Sequence, residues 1–233
     1  MGPARCTIAR RTVLTGALGL AAREAAAQAP PVDLCLVLAA DASGSIDAEE
    51  FRLQREGYAA AFLDERLVAA MTDGPARAIA VAFVEWGSPG APDTVMPWMR
   101  IADRESAGLF GGALAIAPRS RQSYNAIGDA IAHAHALIAA CPFPGGRGVI
   151  DVSGDGPDMR SNLPAPVARE RAVAAGITIN ALAIGLRPVG GGIPLEEAYR
   201  RDVIGGPGAF VATAESRAAF AAAIYNKLIR EVA

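Results

Sequence analysis

Val32-Asp33-Leu34-Cys35-Leu36-Val37-Leu38-Ala39-Ala40 runs straight into Asp41-Ala42-Ser43-Gly44-Ser45, and this junction says most about the fold. An apolar run broken only by Asp33 lacks the alternation of a half-buried strand and has the pattern of a strand covered on both faces, as in a parallel sheet. Directly after it, oxygen-bearing side chains stand at alternate positions, Asp41, Ser43 and Ser45, on a turn leaving the strand end. Two readings are open for that turn. Asp and Ser favour such places for local hydrogen bonding alone, and the same three oxygens outline a site for a hard cation.

Working outward, Asp47-x-x-Glu50 has the form of a capping box, and Phe51, Tyr58, Ala59, Phe62 and Leu63 recur at helical spacing, which predicts a first helix. Thr72-Asp73-Gly74-Pro75 breaks the chain before a second apolar run, Ala78 to Trp86. Thr94 to Ile101 reads as a third strand; Pro97 assigns it to a sheet edge, and the short Gly87 to Asp93 connection makes a hairpin. Helices are expected over Ser106 to Ala117 and Ala126 to Ala140, the latter with Ile127, Ala130, Ile131, Ala134, Leu137 and Ile138 on one face. Val149 to Val152 is a strand that runs into Ser153-Gly154-Asp155-Gly156-Pro157, a second acidic turn after a buried run. A helix over Pro166 to Ala175 with Gly176 as its stop, a strand over Ile177 to Gly185, a short helix over Leu195 to Val203, an edge strand over Phe210 to Ala212 and a closing helix over Glu215 to Arg230 complete the order.

Strands alternating with helices imply an α/β, doubly wound, mainly parallel six-stranded sheet with one antiparallel edge strand and helices on both faces. In such sheets ligands bind beyond the carboxyl ends of the strands, near the point where strand order reverses. Asp41 and Asp155 both lie just past strand ends, so the two acidic turns can meet there.

The chain of 233 residues is 52% hydrophobic and 20% charged, which suits one globular domain, expected over 30–233. A net charge of -2 without a long basic run gives no footprint for nucleic acid. Arg5, Arg10 and Arg11, the short apolar stretch Thr12 to Ala22 and the small residues Ala25-Ala26-Ala27 have the order of an export signal over 1–29, cleaved near Ala27 or Ala29. Export to the periplasm or beyond, with no membrane span in the mature chain, is the expectation. Arg10-Arg11 also fits a twin-arginine signal. Cys35 and Cys141 would then remain in a compartment where disulfides persist, and their spacing in sequence leaves both a bridge and two buried thiols open.

Asp41-Ala42-Ser43-Gly44-Ser45, the helix start Asn125-Ala126-Ile127-Gly128 and Asp155-Gly156 together resemble the metal-ion-dependent adhesion site of von Willebrand factor type A domains. Nearly the whole mature chain also resembles a bacterial family known as domain of unknown function 1194, through Val32-Asp33-Leu34, Gln54-Arg55-Glu56-Gly57-Tyr58, Val84-Glu85-Trp86, Val149 to Gly156 and Val203-Ile204-Gly205-Gly206-Pro207. The resemblance implies a von Willebrand A-like (Rossmann-like) fold. It also implies Asp41, Ser43, Ser45, Asn125 and Asp155 as direct or water-mediated ligands of Mg²⁺, or of Mn²⁺ or Ca²⁺. An ion held mainly by neutral hydroxyls and water keeps much of its charge, so an acidic side chain of a protein partner can fill its open position. Asn125 stands where the adhesion-site pattern has threonine, with Ser123 two positions earlier.

Other chemistries have less support. His133 and His135, the only histidines, point to different faces of a helix. No G-x-S-x-G elbow surrounds Ser43 or Ser45. A metal-assisted hydrolase would need a general base, for which Glu85 at a strand end is the candidate, although local packing explains Glu85-Trp86 equally well. Asp158 and Arg160 read as solvated loop charges, and Gly190-Gly191-Gly192 as a flexible loop. A metal-free structural module is the remaining alternative.

Overall fold

The computed structural model describes residues 29–185, 188, 192–216 and 219–232. The expected export leader therefore lies outside the described residues up to position 28, as do Gly190 and Gly191. In chain order the elements are β1 (Leu34–Asp41), α1 (Ala48–Leu63), α2 (Glu65–Met71), β2 (Ile79–Trp86), β3 (Asp93–Ile101), α3 (Arg104–Ile116), α4 (Ile127–Ala139), β4 (Arg147–Gly154), α5 (Ala165–Ala174), β5 (Thr178–Ile184), α6 (Leu195–Asp202), β6 (Val211–Ala214) and α7 (Phe220–Val232).

The strands form one six-stranded sheet in the order β3-β2-β1-β4-β5-β6. Every neighbouring pair is parallel except β2 and β3, whose antiparallel pairing carries an irregularity between Val81 and Val84. Pro97 lies in β3 at the sheet edge, where a missing N–H breaks no ladder on the open side.

Residue parity along β1 explains its unbroken apolar run. Leu34, Leu36, Leu38 and Ala40 pack with Tyr58, Phe62, Phe83, Phe110, Phe220 and Leu228 on the face covered by α1, α3 and α7. Val37 and Ala39 face the other way, against Ile127, Ile131, Ile150, Leu195 and Tyr199 beneath α4, α5 and α6. Asp33, just before the strand, accepts the Ala76 N–H at 2.9 Å and ties the turn that precedes β2.

Several boundaries differ from expectation, the closing helix most, since α7 spans Phe220–Val232 where Glu215 to Arg230 was expected; two others differ for local reasons. The helix predicted from Asp47 begins with its capping box intact, the Asp47 carboxylate accepting the Glu50 N–H and Glu50 accepting the Asp47 N–H. It ends at Leu63, because Asp64 adopts an extended conformation and caps a separate short helix, accepting the Arg66 and Leu67 N–H groups. An aspartate that competes for backbone donors starts helices as readily as it interrupts them. β1 extends to Asp41 itself, which pairs with Trp86 in the β1–β2 ladder.

Among the described residues no helix is long and apolar enough to cross a membrane.

Candidate metal centre at the strand-order reversal

Strand order reverses between β1 and β4, and both strands end there in an acidic turn. Asp41 is fully buried at the end of β1, while Asp155 follows Gly154 at the end of β4 and is half-buried. The Asp41 carboxylate accepts the Ser43 N–H at 2.8 Å and, at a longer 3.4 Å, the Asp155 N–H, so one side chain spans the two turns. The Ser43 and Ser45 hydroxyls lie 3.0 Å apart, and Ser45 Oγ donates to the Asp155 carboxylate with both oxygens at 3.2 Å. Asp41, Ser43, Ser45 and Asp155 thus form one connected cluster.

The third loop joins through its backbone and the Asn125 side chain. Ser123 O accepts the Gly44 N–H at 3.2 Å, and Gly87 O accepts the Ala126 N–H at 3.0 Å. Asn125 O accepts the Met159 N–H at 2.7 Å, which fastens this loop to the one after β4. The Asn125 side chain lies against Gly156; a methyl group on Gly156 would meet its amide nitrogen at 2.4 Å. Its amide oxygen is buried and has no hydrogen-bond partner among the described residues. The sequence-derived set is therefore brought to one place, with Asn125 beside the acidic turn and Ser123 engaged through its carbonyl.

The electrostatics ask for positive charge. Burial pushes Asp41 up to about 7, and the neighbouring Asp155 carboxylate adds to the rise, against the lowering effect of the Ser43 and Asp155 donors. Below the cluster, Tyr199 donates to Gly156 O at 2.9 Å, and its hydroxyl is held well above its ordinary range by burial and by the charges of Asp41, Asp155 and Asp158. Among the described residues, no group of three or more His, Cys, Asp or Glu side chains converges on a point. An ion here would rest on two carboxylates and neutral oxygens. That donor set fits a hard divalent cation: all oxygens, a carboxylate raised by burial and by a neighbouring like charge, and an amide oxygen alongside that has no partner among the described residues.

Several residues that build the site were not singled out by sequence reasoning. Arg119 donates to the carbonyl oxygens of Ala42, Ser43 and Ile46, at 3.1, 3.1 and 2.7 Å, and so clamps the β1 turn from behind. Its guanidinium also stacks over Phe51, 4.9 Å from the ring centroid. Arg55 pairs with Glu85 at 2.6 Å, both side chains buried, and donates to Leu114 O. Glu85 also accepts the Ser120 N–H at 2.6 Å. Asp129 accepts the N–H groups of Gly90, Asn162 and Leu163 and holds two loops together. An arginine gripping three carbonyls leaves no sequence pattern, because its partners are backbone atoms of any residue type.

These contacts also redistribute roles. Glu85 pairs with Arg55 and accepts the Ser120 N–H, and Trp86 donates its indole N–H to Ala39 O, contacts of the kind the packing reading of this pair expects. Asp158 was expected to be solvated; instead it accepts the N–H groups of Gly128 and Ala165, at the first turns of α4 and α5, because those orphan donors crowd around it. His133 contacts Thr94 Oγ1 at 2.8 Å on the β3 side.

The molecule is similar to several solved structures. The pilus adhesin SpaC from Lactobacillus rhamnosus GG superposes with a TM-score of 0.62 at 15% identity, over 88% of this chain and 30% of that one. Proximal thread matrix protein 1 from the mussel byssus, in a form described as having a zinc-occupied MIDAS motif, gives a TM-score of 0.61 at 16% identity, over 88% of this chain and 47% of that one. A von Willebrand factor type A protein from Catenulispora acidiphila gives 0.53 at 17% identity, over 86% and 42%. The chain thus spans less than half the length of these relatives, and the likeness establishes a von Willebrand A-like fold. No curated protein matches the sequence. The sequence family whose pattern does match, over residues 31–233, is described as protein of unknown function (DUF1194), and the chain belongs to it.

Proposed function

We propose that this is an exported binding module, in which a divalent cation of the magnesium class, held by Asp41, Ser43, Ser45, Asn125 and Asp155 directly or through water, captures an acidic side chain of a protein partner. The observation that carries the reading is the Asp41–Asp155 pair: two carboxylates from separate strand ends, one wholly buried and raised to about 7, joined by two serine hydroxyls. A cation removes the electrostatic cost of that arrangement and supplies, when bound, a positive charge at the mouth of the sheet. The mussel protein with a zinc-occupied MIDAS motif supports a divalent ion in a fold of this kind.

The rim around the cluster suits a protein ligand. Tyr124 is 45% exposed and Met159 is 49% exposed, one from each of the two loops that meet at Asn125. Arg160 stacks over Tyr124 at 5.2 Å and has a φ of 68°, a left-handed conformation unusual for a side-chain-bearing residue. An apolar patch flanked by a positive charge complements an acidic group on an apolar surface.

Calorimetric titration of the protein with Mg²⁺ and Mn²⁺ tests the metal step. Saturable binding that is lost in Asp41→Ala and Asp155→Ala is expected; absence of binding at millimolar metal sinks the proposal. Recovery of a partner from cell-envelope extracts with and without chelator tests the second step. The partner should be released by chelator, and equal retention under both conditions argues against a metal-bridged contact.

A further inference from the structure

Cys35 and Cys141 are distant in sequence and adjacent in space. Cys35 lies in β1, and Cys141 follows the C-terminal end of α4 in the connection to β4. Their sulfur atoms are 3.2 Å apart, both present as thiols. Val32, Ala78 and Ala80 surround them, with Trp98 and Phe143 packed alongside, so the contact lies in an apolar setting at the opposite end of β1 from Asp41. We propose that the two cysteines are a disulfide site that staples β1 to the end of α4, closed by exchange with a disulfide-bearing oxidant.

The geometry suits closure. The sulfur atoms already touch, and closing the gap from 3.2 Å to a bond of about 2.0 Å brings them closer by about 1 Å. The disulfide has no thiol proton to satisfy, and its apolar surroundings accept it. Cys141 is half-buried and Cys35 is 4% exposed, so the oxidant meets Cys141 first. The Cys141 thiolate attacks the oxidant's disulfide, forming a mixed disulfide and expelling one oxidant thiolate. Cys35 then gives up its proton and attacks the Cys141 sulfur, and the second oxidant thiol departs. The pair loses two electrons and two protons, and the oxidant is reduced to two thiols. Burial first, then the hydrogen bond with Cys141 and its charge, together push Cys35 up to about 12, so the second step is the slow one and a closed bridge is correspondingly shielded from reduction.

The closed bridge spans 106 positions of chain, and it restrains the two elements whose other ends carry Asp41 and, just before α4, Asn125. It is independent of whether a cation binds.

The test uses the full chain carrying Cys6→Ser, equilibrated with equimolar reduced and oxidised glutathione, acid-quenched, and alkylated with iodoacetamide under denaturing conditions. The expected result is that neither Cys35 nor Cys141 is alkylated and that a protease digest yields their peptides cross-linked. Reductant is expected to lower the thermal midpoint by about 10 °C, and to leave the midpoint of an otherwise identical Cys35→Ala chain unmoved. Alkylation of both cysteines, or stable glutathione on Cys141 without closure, overturns the proposal. So does a thermal midpoint equally sensitive to reductant in the Cys35→Ala chain.

Discussion

At the scale of single residues, the centre is built from a few side chains with separable duties. Asn125 contributes a buried amide oxygen without a partner among the described residues, whereas Asp41 anchors both turns. Asn125→Ala is therefore expected to weaken Mg²⁺ binding about tenfold, the loss of one neutral oxygen and its ordering. Asp41→Ala should abolish it; calorimetry of the two variants side by side checks the ranking. A different duty falls to Arg55 and Glu85, which bury opposite charges against each other. Glu85→Gln leaves the arginine buried and uncompensated and should cost about 3 kcal/mol in chemical denaturation. Asp41, Ser43, Ser45 and Asp155 were legible from their spacing and from the apolar runs before them. Arg55, Arg119 and Asp129 were not, because each binds backbone atoms or a distant charge that no local pattern announces.

The elements position the centre through close packing at their ends. α4 meets the start of α5 so tightly that a methyl group on Gly128 would lie 1.9 Å from Leu163 O and 2.7 Å from the Ala165 N–H nitrogen. Gly128 N–H also donates to Asp158 and Ser161. Gly128→Ala should therefore destabilise the domain by about 3 kcal/mol, despite alanine's better helix propensity. Thermal unfolding measures this, and an unchanged or raised midpoint would show that the α4–α5 contact yields. The helical periodicity of Ile127, Ala130, Ile131 and Ala134 announced this helix. It could not announce why Gly128 is glycine, because the atoms that exclude a side chain come from residues more than thirty positions away.

Across the whole molecule, a buried charge cluster fastens α7 to the sheet. Lys227 of α7 pairs with Asp151 of β4 and with Glu231 one turn on, all fully or almost fully buried. Asn180 of β5 donates to Glu231 at 3.3 Å, and Tyr58 of α1 feels the charges of both acids. Burial, followed by the Asp151 charge, pushes Glu231 from its ordinary 4.5 up to about 8. The folded protein keeps a proton that the unfolded chain has released, so the Glu231 contribution is fully present below pH 4.5 and is lost as pH rises through about 8. Stability should fall across that window with a slope of at most about 1.4 kcal/mol per pH unit, and Glu231→Gln should flatten it. Denaturation midpoints at several pH values decide this; an equal slope in the variant would assign the dependence elsewhere. The fold class and the parallel core were legible in the alternation of elements, while the burial of a lysine between two acids was not.

The sequence by itself determined the sheet's buried strands, the edge position of the proline-bearing strand and the oxygen-rich turn from Asp41 to Ser45, because hydrophobic period, backbone restriction and turn chemistry are local properties of the chain. Only the tertiary structure decided that Asp155 shares hydrogen bonds with that turn, that Arg119 grips it from behind, that Asn125 lies against Gly156 and that Cys35 touches Cys141. These depend on the strand order, in which β1 and β4 become neighbours across more than a hundred residues of intervening chain. Contacts of that range are set by how two apolar faces of one sheet are covered at once, and no window along the sequence contains both partners.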